Sequence, residues 1–585
     1  MPDPTDVAMT LFPPEPPRFV GRAETMAAAG TALAPASEYT TVLFHGMAGV
    51  GKTTCAVELA YRHQRSFVAL IFWSAPTDPE QSGDALRLLA VTLEAQLGNY
   101  GIAMVDNIAT LERLENFLPT LTAVLADAGL LLVLDNLETL LTPDGQWRDL
   151  RWAPLTGALT GHAGPSRVIL TSRIVPGGLN PDTVLVRPVY ALSRDESLLL
   201  ARELPNLRAL LHSETEPGQT EPGQTGPGSA DPALSRRVLT QAQGHPMLLE
   251  LTDAAAADPA RLAFHLTEVE TGMDGAAAAF LTDGDTRLDA ERLLECFTAW
   301  VANISATLPA PARLLLQALC RIEETDRTTA ILGANWAELW RRSDQPGEPP
   351  QLASCVAALD TAALIATDLI DKGADPNGPV RYRIHPGVAE AIHATTPDPV
   401  TAAVDAQLAA WWTAVGDWGI EQQRAGQDTS QFVVRAGLNA ARYLLRQPDW
   451  NAATCLLEHV LIRDGYSPVT SLAAIPLLRH IAEATGALTD VVVLGAALRK
   501  VDPGEAETLL RRAYDQASTG GEYRIASTTA GELVTLLRDQ GRLRAALTLA
   551  GQKIEHTSQA GFGFWTQLSD QGRWLQILSL LGHHE

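Results

Sequence analysis

Gly46-Met47-Ala48-Gly49-Val50-Gly51-Lys52-Thr53 constrains this chain more than any other stretch. It has the form G-x-x-x-x-G-K-T. The run Thr41-Val42-Leu43-Phe44-His45 before it reads as a buried strand, and Thr54-Cys55-Ala56-Val57-Glu58-Leu59-Ala60 after it reads as a helix. Strand, glycine-rich turn and helix in that order form a unit whose loop wraps a phosphate chain. Glycines allow close approach, because side chains there would collide with the phosphates. The loop N–H groups and the helix N-terminus supply positive potential. Lys52 has the length to reach terminal phosphates, and the Thr53 hydroxyl suits Mg²⁺.

Apolar strands alternate with helical stretches from about Phe19 to Pro188, which implies a parallel α/β sheet. The expected strands are 41–45, 68–73, 130–134, 167–171 and 184–187. Leu130-Leu131-Leu132-Val133-Leu134-Asp135 is a buried strand ending in an acid, placed to hold a Mg²⁺ shell beside Thr53. An acid merely exposed at a strand end has the same local sequence.

The 585 residues suffice for several domains, and 46% hydrophobic content supplies their cores. A formal net charge of −24 argues against bulk binding to nucleic acid or anionic membrane. The five cysteines are far apart, without a C-x-x-C pair, so neither a disulfide framework nor a zinc site is expected. The N-terminus lacks a basic region followed by an apolar run, so no signal peptide is expected, and no run reaches the roughly 18 apolar residues of a membrane span. The expected location is the cytoplasm.

Residues 1–18 are proline-rich and read as a linker, 19–190 as the nucleotide domain, and 191–298 as a helical domain. The latter is interrupted at 213–232 by a repeat, Thr215-Glu216-Pro217-Gly218-Gln219 recurring at Thr220-Glu221-Pro222-Gly223-Gln224. That composition predicts a disordered insertion. Over 299–397, short helices precede two expected strands, 363–367 and 380–384, which suggests a winged helix. Residues 398–585 read as helical repeats. Leu537-Arg538-Asp539-Gln540-Gly541-Arg542 and Leu568-Ser569-Asp570-Gln571-Gly572-Arg573 match at a spacing of 31, each expected to form a turn between antiparallel helices. The period is near that of tetratricopeptide solenoids. The repeat stops at Glu585 without a polar capping helix, so the chain is expected to be a fragment of a longer protein. The fold class expected is therefore multidomain α/β plus α.

Several short motifs in order resemble a STAND-class signalling ATPase of the NB-ARC type, over roughly residues 19–395. Phe19-Val20-Gly21-Arg22 resembles the opening motif whose backbone lies against adenine. The loop at 46–53 follows. Phe72-Trp73-Ser74 resembles the second-strand motif, and Leu132-Val133-Leu134-Asp135-Asn136 the metal-binding strand. Val168-Ile169-Leu170-Thr171-Ser172-Arg173 resembles the sensor strand, whose arginine senses the γ-phosphate. Gly244-His245-Pro246-Met247 resembles the turn whose proline packs on adenine, although Pro246 is equally compatible with a simple helix start. Tyr382-Arg383-Ile384-His385-Pro386 resembles the winged-helix motif whose histidine touches the β-phosphate of ADP.

The resemblance implies ATP or ADP with Mg²⁺. The expected contacts are Val20, Gly21, Arg22, Gly46, Gly49, Val50, Gly51, Lys52, Thr53, Thr54, Pro246 and His385. Thr53 and Asp135 are the expected metal ligands, and Lys52, Asp135, Asn136 and Arg173 the expected catalytic set. Many relatives carry a second acid where this chain has Asn136. An amide orients water but cannot accept its proton at neutral pH, so hydrolysis is expected to be slow or absent unless Glu138 substitutes. The implied function is a switch, closed with ADP and assembling into homo-oligomers with ATP. Its trigger, a protein or small molecule, would act on the repeats. Its effector, with a caspase-like protease as the leading expectation, would lie upstream or in trans, in bacterial defence or stress signalling. The alternative is an ATP-dependent transcription regulator with a DNA-binding partner domain. The acidic 300–397 segment speaks against direct DNA binding, and an ordinary metabolic kinase finds no support.

Overall fold

A computed structural model describes residues 12–76, 82–97, 102–108, 110–212, 232–270, 290–369 and 380–582. Apart from its last residue, the expected insertion at 213–232 lies outside the described residues. The chain divides into two units. The first comprises residues up to Ile102 and Glu115–Val404; the second comprises Ala103–Leu114 and Asp405–Glu585.

The first unit is built around a parallel sheet. In chain order it contains α1 (Ala23–Ala32), β1 (Thr41–His45), α2 (Lys52–His63), β2 (Ala69–Ser74), α3 (Ser82–Leu97), α4 (Leu111–Ala128, whose first turn belongs to the second unit), β3 (Leu130–Asp135), α5 (Trp152–Thr160), β4 (Arg167–Ser172) and β5 (Val184–Pro188). The strands lie in the order β2-β3-β4-β1-β5, all parallel. All five fall within one residue of the expected bounds. The central ones are covered on both faces, which is why they read as continuous apolar runs. Val42, Phe44, Val133 and Ile169 pack against Cys55, Ala56 and Leu59 of α2. β4 lies between β1 and β3, so the carboxyl ends of three strands converge on the glycine-rich loop, where ligands of open α/β sheets bind.

The described part of the proline-rich start is not a free linker. Phe12 is 3% exposed and packs edge-on against Tyr61 and Phe72, and the Tyr61 hydroxyl donates to the Pro13 carbonyl at 2.8 Å. Proline content signalled absence of regular structure, but one aromatic side chain suffices to dock the segment.

Beyond the sheet come α6 (Arg194–Glu203), α7 (Pro205–His212), α8 (Pro232–Ala242), α9 (Pro246–Ala255) and α10 (Pro259–Glu270). They are followed by α11 (Ala290–Thr307), α12 (Ala310–Arg321), α13 (Thr329–Arg342), α14 (Leu352–Thr361), the antiparallel pair β6 (Ala366–Leu369) and β7 (Val380–Arg383), and α15 (Pro386–His393). β6 begins later than expected because Ala363, with φ +52°, still belongs to the turn that ends α14. Helix α11 packs on α15, so a boundary at residue 299 falls inside an element. The division between the two units lies within α16 (Asp398–Arg424).

The second unit is an array of helices: α17 (Ser430–Leu445), α18 (Trp450–Arg463), α19 (Pro468–Thr485), α20 (Leu488–Leu498), α21 (Pro503–Thr519), α22 (Tyr523–Asp539), α23 (Leu543–Gln559) and α24 (Phe564–Leu580). Sequence neighbours pack on one another, and Leu510, Leu533, Leu537, Leu549 and Ile577 share one apolar cluster. The turn expected at Asp539–Arg542 is present, with Gly541 at φ +74°. The one expected at Asp570–Arg573 is not, because these residues lie inside α24. Asp570 is 4% exposed, and its carboxylate takes bonds from Lys553 Nζ at 2.6 Å and Thr557 Oγ1 at 2.7 Å. A side chain so committed belongs in a packed helix face, not in a surface turn. Among the turn glycines, Gly521, Gly541 and Gly561 are evenly 20 residues apart, so a helix pair there spans longer than the apparent repeat. Among the described residues no helix is long and apolar enough to cross a membrane.

Candidate functional site

The loop between β1 and α2 adopts backbone conformations that only glycine takes without strain. Gly46, Gly49 and Gly51 have φ of +148°, +71° and +93°. A Cβ on Gly46 would collide with the Val189 carbonyl oxygen. One on Gly49 would stand 2.5 Å from His245 Cε1 and 3.4 Å from His385 Cε1. Gly51 precedes α2 with no side-chain cap, so the first N–H groups of that helix have no side-chain acceptor at the cap. Val50 is fully buried and Thr54 half-buried.

Lys52 is 8% exposed, and its ammonium donates to the carbonyls of Gly46 and Met47, both at 2.9 Å. Burial lowers its pKa, while Glu138 and Asp135 raise it and Arg173 lowers it further. A buried cation whose direct partners are two neutral carbonyls has charge to offer an anion. The glycine cradle, the uncapped helix start and this lysine together fit a polyphosphate.

Thr53 Oγ1 lies 2.7 Å from Asp135 Oδ1. Because β4 separates β1 from β3, it brings Thr171 to the same carboxylate oxygen, 2.6 Å away, while Ser74 of β2 donates to Oδ2 at 3.3 Å. A carboxylate with a threonine hydroxyl beside it is a hard-oxygen donor set that suits Mg²⁺. Sequence reasoning named Thr53 and Asp135 as the pair. It passed over Thr171 and Ser74, whose proximity depends on strand order.

Asn136 and Arg173 are placed differently from a bare phosphate-facing set. Asn136 has φ +64°, and its Nδ2 donates to the carbonyls of Ala75 and Pro76 at 3.2 and 3.4 Å. The amide thus ties the end of β3 to the chain leaving β2. Arg173 follows β4 and forms two ion pairs, Nε to Glu138 Oε1 and Nη1 to Glu390 Oε2, each 3.1 Å. Its backbone N–H also donates to Glu138 Oε2 at 3.2 Å. Glu138, expected as a substitute base, is therefore engaged with Arg173.

Arg22 is held in the left-handed region at φ +58°, and its guanidinium donates to the carbonyls of Tyr190 and Val50. Its N–H donates to Glu196 Oε1 at 2.6 Å. Glu196 is the closing acid of a capping box with Ser193 at the start of α6, so one carboxylate caps a helix and fixes the Phe19–Arg22 segment. Gly21, at φ +74°, has no room for a Cβ against that carboxylate. Burial lowers the Arg22 pKa, opposed by Cys55 and Glu196. Val20 beside it is half-buried.

Two histidines close on the loop from other parts of the unit. His245, 2% exposed, caps α9: its Nδ1 accepts the Leu248 N–H at 3.3 Å, so Nε2 carries the proton and donates to the Ala48 carbonyl at 2.9 Å. Pro246 is the first residue of α9 and half-buried. His385 caps α15, with Nδ1 accepting the Gly387 N–H at 3.1 Å. The Phe297 ring of α11 lies 5.5 Å from the His245 ring and 6.3 Å from the His385 ring. Burial pushes His245 down to about 4, helped by Arg22 and Lys52 and opposed by its bond to Ala48. It pushes His385 down to about 3, helped by His245, Lys52 and Arg173. Both rings are neutral at pH 7. Sequence reasoning singled out His385 and Pro246 and missed His245, whose only signal was its place beside that proline.

No family model matches this chain, and no curated protein matches it. Among solved structures it is similar to a Signal Transduction ATPase with Numerous Domains (STAND) protein with a tetratricopeptide repeat sensor from Pyrococcus horikoshii. The identity is 14%, covering 98% of this chain and 78% of that one, with a TM-score of 0.46. It is also similar to Drosophila ORC bound to DNA, at 14% identity over 66% of this chain and 88% of that one, with a TM-score of 0.26. RuvB from Thermotoga maritima is similar at 14% identity over 62% and 92%, with a TM-score of 0.24. At such identities and scores these likenesses set no function, which has to come from the geometry of the site.

Proposed function

We propose that this chain is a nucleotide-controlled switch of the STAND type. The observation that carries the proposal is the convergence on Gly49 of His245, from the start of α9, and His385, from the end of the β6–β7 ribbon. A phosphate loop contacted by both elements couples whatever it binds to how they are arranged.

The residues present fit an adenine nucleotide with Mg²⁺. The loop N–H groups and Lys52 would bind phosphates, Thr53 and Asp135 would hold the metal, and the segment Val20–Arg22 with Pro246 would frame the base. A metal held there would neutralise charge that a phosphate chain brings to the site. Asn136 is an amide and takes no proton from water, and Glu138 is held in an ion pair with Arg173, which lowers its readiness to act as a base. This supports a switch driven by nucleotide exchange, with hydrolysis slow or absent. Moving a 1:99 population to 99:1 takes about 5.5 kcal/mol of differential binding, the order of two or three charged contacts to phosphate. The finer assignments belong to the same proposal: the NB-ARC group, a winged helix over α12–α15, triphosphate-driven assembly, a trigger on the helical array and an effector upstream or in trans.

The test is nucleotide release from the purified chain, read by mass spectrometry, with calorimetric titration of ADP. ADP is expected to co-purify, and His385→Ala is expected to weaken its retention about tenfold or more, the scale of one lost charge-assisted bond. Equal retention by wild type and variant removes His385 from the proposed nucleotide contacts.

A further inference from the structure

Arg173 is the meeting point of two acids that differ in how they are attached. Glu138 lies just past the end of β3, is 11% exposed, and takes both the backbone N–H and the guanidinium of Arg173. Any motion of the sheet carries Glu138 and Arg173 together. Glu390 reaches the same guanidinium from α15, the helix that begins at His385. That short helix therefore touches the phosphate side twice, through His385 at the loop apex and through Glu390 at Arg173.

The contact with Glu390 is replaceable. Glu390 is 56% exposed, so water screens the pair. Arg173 Nε lies within ion-pair distance of Glu138 but without hydrogen-bond alignment, so the guanidinium retains capacity for a better-placed anion. Arg173 directly follows β4, the strand whose Thr171 bonds the Asp135 oxygen that Thr53 also bonds, so its charge stands at the same carboxyl edge of the sheet as the loop.

We infer that Glu390 is a specificity-determining residue, an internal anion that occupies Arg173 and so discriminates against nucleoside triphosphates in favour of diphosphates. The inference rests on the proposed nucleotide switch and adds to it the residue that sets its preference. A diphosphate has no third phosphoryl group to bring to Arg173 and leaves the pair intact. A triphosphate brings further negative charge beside the Glu390 carboxylate. The two anions repel, and Glu390, held only by its helix, is the one that gives way. Loss of that contact removes one of the two points at which α15 touches the phosphate side.

The test uses the full chain stripped of nucleotide, titrated calorimetrically with Mg²⁺–ADP and with a non-hydrolysable Mg²⁺–ATP analogue. In Glu390→Gln, binding of the analogue is expected to strengthen about two- to fivefold relative to ADP, the scale of an exposed ion pair. In an Arg173→Gln background the same substitution is expected to change the ratio no further. A ratio unchanged by Glu390→Gln, or an equal effect without Arg173, overturns the inference while leaving the switch standing. A wild-type chain that binds neither nucleotide overturns both. Thermal unfolding of the variant, expected to match wild type because Glu390 is largely exposed, shows that the fold is intact.

Discussion

Gly49 in the first unit and Gly541 in the second have nearly the same backbone, φ +71° and +74°, in opposite surroundings. A Cβ on Gly49 would run into the buried His245 ring, whereas one on Gly541 would meet nothing within 4 Å. The two buried lysines differ in the same sense. Lys52 and Lys553 are each 8% exposed. Lys52 donates to neutral loop carbonyls, whereas Lys553 is neutralised by Asp570 at 2.6 Å and also donates to Ser527 at 3.3 Å. In the helical array special conformations and buried charge complete a structure. Around the phosphate loop the same devices are left facing a place where a charged group can enter.

The largest expected effect tests the finished side of that contrast. Asp570→Ala leaves Lys553 as a buried cation without its counter-ion and removes the carboxylate to which Thr557 donates. Removing one partner of a buried pair costs about 3–5 kcal/mol. Hydrogen exchange over α22–α24 is expected to show that loss, with nucleotide affinity unchanged. If protection there is preserved, the ion pair is dispensable and the comparison of the two lysines fails on this side.

The next effect is a dependence on pH that His245 brings to the first unit. His245 has its pKa depressed to about 4 in the folded chain, against an ordinary value of 6.5. Above pH 6.5 the ring is neutral folded or unfolded and its stabilising bonds are fully present. As pH falls from 6.5 to about 4 the unfolded chain binds a proton that the folded one refuses, so stability declines. At about 1.4 kcal/mol per unit the loss reaches about 3 kcal/mol and levels off below the folded pKa. Protonation also turns the Nδ1 acceptor into a donor facing the Leu248 N–H. Denaturant titrations of the first unit across this range are expected to show the decline, and His245→Gln to reduce its slope by about one proton. A slope that survives the substitution assigns it to other groups.

How much of this was written in the sequence depends on the range of each interaction. The sheet was legible because buried parallel strands need unbroken apolar runs, and the runs ending at His45, Asp135 and Ser172 supplied both register and site. The loop was legible because its glycines answer to local geometry. The histidine at the start of α9 was not, since Gly244-His245-Pro246 reads as a helix start and nothing local says that Ala48 lies against the ring. Glu390 and Glu138 were illegible as partners because they are separated by most of the unit and meet only through the placing of α15. The two Asp-Gln-Gly-Arg segments show the limit most plainly. One is a turn and the other the middle of a helix, and the difference lies in Lys553, outside both.

The smallest effect sharpens the glycine comparison. Gly541→Ala places an L residue in the left-handed region, at about 1–2 kcal/mol. Alanine also restricts the unfolded chain, which returns about 0.4–1 kcal/mol. With open space around the added methyl, the net loss is expected to be about 1 kcal/mol, seen in denaturant unfolding of the second unit. Gly541→Asn is expected to lose less, because asparagine enters this region more readily. The order Gly, then Asn, then Ala is therefore the signature of backbone conformation acting alone. If alanine and asparagine were equally harmful, or the loss exceeded about 3 kcal/mol, the position would be crowded like Gly49. The turn glycines of the array would then owe their identity to close approach, as those of the phosphate loop do.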